Sequence, residues 1–219
     1  MSALLHILRR DLALLLPGGK RGGTLLPMLF FLAVAMLYPF AVGPDAALLA
    51  RTGGGVICVA ALLAAILPLD RLVAADLEQG FFDQWALRGI SEEAVIAIRV
   101  LAHWLSFGPP LMLAAVIAAG LLNLSADTLL RVEVGLLIGT PGLAALAVAT
   151  SALVAGVRGG GAVTGLVMLP LAVPLLIFGA GSLDPAGGAG AVKLLAAVSL
   201  VLVAGAPFLA AAAIRAGMD

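Results

Sequence analysis

Charged residues along this chain of 219 residues collect in a few places and leave long apolar runs between them. Six stretches carry no Asp, Glu, Lys or Arg: 22–44, 52–69, 100–126, 134–157, 159–183 and 194–214, of 23, 18, 27, 24, 25 and 21 residues. A helix needs about 20 apolar residues to cross a hydrocarbon core of ~30 Å. Backbone hydrogen bonds must close within each span, which favours helices, and the short alternating segments of a transmembrane barrel are missing. The pattern predicts an all-α integral membrane protein, a single membrane domain over 1–219. Its six transmembrane helices fall at approximately 24–43, 53–69, 100–122, 134–156, 162–181 and 194–214.

The N-terminal segment 1–20 reads differently. Leu4, Leu8, Leu12 and Leu15 recur at helical spacing, with His6, Arg9 and Arg10 on another side. The uninterrupted run Leu12–Leu16 is too short for a signal-peptide core, and the Arg9-Arg10 pair lacks the long apolar stretch of an export signal. The segment predicts an amphipathic helix in the membrane interface, with Arg9 and Arg10 directed to lipid phosphates. Asp11 falls near the apolar edge of that helix and fits it imperfectly. Nine Lys and Arg lie in the N-terminal segment, the second and fourth loops and the C-terminus, against three (Arg51, Arg131, Lys193) in the alternate connections. This bias places both termini in the cytoplasm.

Residues 70–99 form the one substantial hydrophilic stretch and hold six of the twelve acids. Within 70–93, Asp76, Glu78, Gly80, Phe81, Phe82, Trp85 and Arg88 make a short amphipathic segment with exposed aromatics. Ser91-Glu92-Glu93 has the form of a helix start, a Ser cap followed by acids. One reading is a solvated loop whose aromatics anchor at the headgroups. The other, preferred, is a coupling helix gripped by a cytoplasmic partner. Phe, Trp and Arg are typical interface anchors, and lipid anchoring does not call for six acids beside an anionic leaflet.

Composition narrows the function. The chain is 63% hydrophobic and 11% charged, where an average soluble domain is about 25% charged. That excludes a soluble enzyme, a nucleic-acid binder and a disordered tail. One cysteine, Cys58, excludes a disulfide framework and a thiolate metal cluster. No ionisable residue except His103, near the end of the third span, lies well inside the membrane, which disfavours an ion-coupled carrier. A lone histidine of this kind is more often a helix–helix hydrogen-bonding residue than a ligand. There is no phosphate-binding loop, no Ser/His/Asp set and no metal-ligand motif, so no catalytic or metal site is assigned. Any work this protein does needs energy from another subunit. The 27 glycines and 12 prolines fit either close helix packing or hinges in a rocking bundle.

Six spans, an interfacial N-terminal helix and an acidic segment between spans two and three match the plan of ABC-2-type export permeases. Further stretches carry a closer likeness: Tyr38-Pro39-Phe40-Ala41-Val42-Gly43-Pro44, Leu48-Leu49-Ala50-Arg51, Val59-Ala60-Ala61-Leu62-Leu63, Asp76-Leu77-Glu78-Gln79-Gly80, Ala102-His103-Trp104, Leu137-Ile138-Gly139-Thr140-Pro141, and the run Leu169 to Phe178. On these the chain resembles the haem exporter B (CcmB) family of bacterial cytochrome c maturation, over nearly its whole length, with Phe82–Gly89 and 181–190 the looser parts.

The resemblance implies the permease subunit of an ABC-type complex in the bacterial inner membrane. A cytoplasmic ATPase (CcmA) would dock on 70–93 and push on Glu78–Trp85. A haem-handling membrane protein (CcmC) and a small single-span protein (CcmD) would complete the complex, which delivers haem to a periplasmic chaperone (CcmE). Haem offers two carboxylates and an iron needing axial ligands. The membrane interior here offers one His, one Tyr and no cation. The expectation is therefore that no cofactor is bound by this subunit: ATP belongs to the partner, haem to the complex as a whole, and the chain is a mechanical coupler. The competing readings are an export permease for a lipid, drug or polysaccharide, and, far behind, a membrane-embedded enzyme.

Overall fold

The computed structural model describes residues 2–15, 25–67, 73–155 and 160–218. Among these, all regular structure is helical: α1 (Ser2–Leu15), α2 (Leu25–Val42), α3 (Ala46–Ile66), α4 (Ala74–Glu78), α5 (Phe81–Ala86), α6 (Glu92–Leu121), α7 (Ala126–Leu153), α8 (Gly160–Gly181) and α9 (Gly188–Met218). Six of them, α2, α3, α6, α7, α8 and α9, are long and apolar enough to span a bilayer.

Four of the spans, α3, α6, α7 and α9, begin well before the charge-free stretches do. α3 starts at Ala46, capped by Asp45, whose carboxylate accepts from the Ala47 and Leu48 amides at 2.9 and 3.1 Å. α6 starts at Glu92 behind a Ser91 cap on Ala94, and α7 at Ala126 behind a Ser125 cap on Thr128. Counting from the nearest charge therefore misplaces these ends. Arg51, Arg99, Arg131 and Glu133 are helical residues, because a helix continues while its end protrudes past the hydrocarbon or its charges find partners.

α7 is the axis of the bundle. Of its apolar window 72% is buried, against 17% for α2, which lies at the edge on α3 and α6. Its most extensive packing is against α9, and small residues make that approach possible. A Cβ on Gly142 would meet the Ser199 Oγ at 2.9 Å and the Ser199 Cα at 3.0 Å, closer than real side-chain carbons come. Gly142 is thus a packing glycine. α6, α7, α8 and α9 also continue through their internal prolines, Pro109, Pro110, Pro141, Pro170, Pro174 and Pro207.

One apolar cluster joins α1, α5, α8 and part of α3 to the neighbouring halves of α6, α7 and α9; a second joins α2 and the rest of α3 to the other parts of α6 and α7. The first cluster brings the N-terminal helix and the segment between spans two and three to the same end of the bundle. At that end Arg215, on the last turn of α9, pairs with Glu92 and Glu93 at the start of α6 at 3.3 and 2.9 Å.

Candidate functional site: a ring of four charges beneath the coupling segment

α1 buries Ile7, Asp11 and Leu15, spaced four apart on one face against α6. The imperfect fit of Asp11 is resolved here, because the face it shares is the inner one and holds a partner. α6 likewise buries Val95, Ile96, Arg99, Ala102 and His103 as one stripe. Asp11 and Arg99 meet where these faces cross: the Arg99 Nε donates to the Asp11 Oδ2 at 3.2 Å.

Asp76 of α4 closes a ring. Its carboxylate lies 2.5 Å from the Arg99 Nη2 and accepts from the Arg10 Nη2 at 2.6 Å and Nη1 at 3.2 Å. The Arg10 Nη1 also donates to Asp11 at 3.0 Å. Each acid thus stands between the same two guanidinium groups, and the four charges sum to zero. Arg99 is 2% exposed and Asp76 0%. Burial works against the Arg10 charge, but hydrogen bonding and charge from Asp76, then Asp11, outweigh it and raise its pKa above the ordinary value. A neutral, mutually hydrogen-bonded cluster is the form in which charges are tolerated away from water.

Phe81 and Phe82 floor the ring. The Arg10 Cζ lies 3.9 Å from the Phe81 centroid, and the Arg99 Cζ lies 5.4 Å from both phenyl rings. Gly80, in the left-handed region at φ 63°, makes the turn that sets α5 against α4. Its missing Cβ is what permits that conformation.

Three sequence expectations are corrected by this geometry. Phe81 and Phe82 are buried rather than exposed, because they pack on the guanidinium groups of the ring. Asp76 is also internal and offers nothing to a solvent-side partner. Arg10 turns in to Asp76 and Asp11 rather than out to lipid, since buried carboxylates hold it; Arg9 is exposed. The outward face of the segment is made by Glu78, Asp83, Gln84, Leu87 and Arg88, with Trp85 half-buried. Leu87 is 89% exposed, and the Arg88 Cζ lies 4.9 Å over the Trp85 ring. Asp70, Arg71 and Leu72, at the start of the expected 70–93 segment, lie outside the described residues.

His103 is also buried, but it does not supply the expected helix–helix hydrogen bond. Its ring lies 4.9 Å from that of Phe107, and neither imidazole nitrogen has a hydrogen-bond partner among the described residues. Its neighbour Trp104 makes the interhelical bond instead, Nε1 donating to the Thr140 Oγ1 at 3.0 Å. Groups of three or more His, Cys, Asp or Glu able to hold a metal ion are absent among the described residues. Asp11 and Arg99 went unassigned in the sequence, 88 positions apart. Their signal was an acid and a base each placed on an otherwise buried helical face.

Fold and site define a multi-pass membrane protein whose interhelical segment is locked by ion pairs to an N-terminal helix and to the start of the third span. The family model described as CcmB protein matches residues 2–217. The chain is 45% identical over 217 residues to Heme exporter protein B of Rhodobacter capsulatus, covering 97% of this chain and 98% of that one. It is 41% identical to Heme exporter protein B of Bradyrhizobium diazoefficiens over the full length of both. The Escherichia coli K12 protein of the same name is 38% identical, over 86% of this chain and 88% of that one. The chain belongs to the CcmB family.

Proposed function

We propose that this chain is the permease subunit of an ABC-type haem-delivery complex in the bacterial inner membrane, both termini cytoplasmic, serving c-type cytochrome biogenesis. The relatives' name, Heme exporter protein B, supports the haem connection. ATP hydrolysis resides in a cytoplasmic ATPase subunit (CcmA), which docks on the outward face of α4 and α5. Leu87 supplies the apolar contact there, and Glu78 and Asp83 the charged rim.

The observation that carries this reading is the division of the α4–α5 segment. Its outer face projects an apolar anchor, while its inner face is bonded through Asp76 to Arg99 of α6. A push on Leu87 reaches a transmembrane helix through the Asp76–Arg99 ion pair. Mutual pairing and hydrogen bonding offset part of the desolvation cost of holding these charges inside the protein.

The chain acts as a coupler and passes no haem through its own bundle. A cavity between α3, α7, α8 and α9, lined by Cys58, Thr140, Leu143, Leu175, Gly179 and Leu195, holds about 30 Å³. Its walls are apolar but for Cys58 and Thr140 and offer no cation to a porphyrin carboxylate. In this account the haem-handling protein (CcmC) and the single-span protein (CcmD) hold the cargo. ATPase closure then releases haem-loaded chaperone (CcmE).

Co-expression of the tagged chain with its ATPase tests the docking. Leu87→Asp with Glu78→Lys is expected to lose the ATPase from the purified complex while the helical content stays as in the parent. Undiminished co-purification together with normal c-type cytochrome levels overturns the docking assignment.

A further inference from the structure

Beside the charge ring, α1 and the end of α5 enclose a cleft of about 490 Å³ lined by Ala3, His6, Arg10, Trp85, Arg88 and Ile90. A second hollow of about 350 Å³ shares Arg10, Trp85 and Arg88 with it. No carboxylate lines either one. We propose that this cleft binds the phosphodiester headgroup of an anionic phospholipid, a site separate from the haem reading and independent of it.

Charge matching comes first. The positive charge of Arg10 is already met by Asp76 and Asp11. Arg88 has no carboxylate partner among the described residues and lies over the Trp85 indole. The cleft therefore keeps one uncompensated positive charge, with the imidazole of His6 on its wall. That suits a phosphodiester monoanion. A dianionic porphyrin would leave one carboxylate without a counter-charge.

Position comes second. α6 has 30 residues, about 45 Å of helix against a hydrocarbon core of ~30 Å. α1 crosses it at Arg99, seven residues and about 10 Å in from its start. That sets α1 and the cleft in the headgroup layer. A tryptophan edge and an arginine are the side chains that settle there.

The walls decide between lipid and protein. Ala3, Trp85 and Ile90 are apolar, and Leu5, next to His6 on α1, is 49% exposed. Such surroundings suit a glycerol and the upper acyl chain better than an acidic loop of a soluble protein. Arg88 then serves the lipid, and Leu87 on the outer face serves the ATPase.

Native mass spectrometry of the purified chain released from bilayers of equal phosphatidylglycerol and phosphatidylcholine tests the assignment. The parent is expected to retain phosphatidylglycerol about tenfold over phosphatidylcholine, and Arg88→Gln to bring the two near parity, the loss of one charge-assisted contact. Arg88→Lys keeps the charge and is expected to keep part of the preference. An unchanged preference in Arg88→Gln overturns the proposal. So does displacement of the lipid by millimolar inorganic phosphate alone, which would mark a free-anion site. Loss of ATPase capture in Arg88→Gln with the lipid preference intact would likewise overturn it, in favour of a protein contact.

Discussion

Asp11 and Arg99, 88 positions apart in the chain, meet at 3.2 Å with both side chains almost wholly shielded from solvent. Removing one partner strands the other, whereas removing both restores neutrality. Arg99→Met is therefore expected to destabilise the protein by about 3–5 kcal/mol. Asp11→Leu with Arg99→Met is expected to recover most of that loss, because Arg10 and Asp76 keep their own pair. Thermal unfolding in detergent of the two single variants and the double variant checks this. Additive losses in the double variant would contradict the ring.

The same double variant separates stability from coupling. It keeps the outward face of α5 intact but cuts the link from Asp76 to α6. It is expected to bind the ATPase normally and to lower c-type cytochrome assembly several-fold. The measurement is assembly per unit of complex in membranes.

Inner and outer residues of α5 are expected to respond in opposite ways. Phe82→Ala removes a ring that is 2% exposed and should cost about 3–5 kcal/mol of stability. Leu87→Ala touches a side chain that is 89% exposed and should move stability by less than about 0.5 kcal/mol. Paired melting curves and ATPase pull-downs distinguish them: Phe82→Ala lowers the melting temperature, and Leu87→Ala lowers only the capture.

At the centre of the bundle, Gly142→Ala places a methyl group 2.9 Å from the Ser199 Oγ and 3.0 Å from the Ser199 Cα. It should cost about 1–3 kcal/mol through forced separation of α7 and α9. Ser199→Gly added to it is expected to recover only part, since the Ser199 Cα stays in the way. Melting temperatures of the single and double variants check this.

The helical membrane class was legible in the sequence because hydrocarbon enforces it: charge cannot enter a span unpaired. The same logic misplaced the starts of α3, α6, α7 and α9. Arg51, Arg99 and Arg131 were read as loop residues, yet a helix does not end at its first charge. Asp11 already looked out of place on its apolar stripe, but nothing local identified Arg99 as its partner. The direction in which Phe81 and Phe82 point was hidden for a related reason. An aromatic beside charged residues reads as exposed until the charges are seen to be paired beneath it. Leu87, an ordinary leucine in sequence, becomes notable only because the turn after α5 leaves it outside. His103 was singled out by being titratable, and its imidazole lies in a tilted ring contact with Phe107.

If the outer face of α5 meets a cytoplasmic ATPase, the exposed Leu87 lies within crosslinking reach of that subunit and the buried Phe82 does not. Site-directed crosslinking tests it most directly, using Leu87→Cys or Phe82→Cys in a Cys58→Ser background within the assembled complex. A crosslink to the ATPase is expected from position 87 and none from position 82. Labelling of position 87 by a membrane-impermeant thiol reagent from the periplasmic side, with no ATPase crosslink, would contradict it.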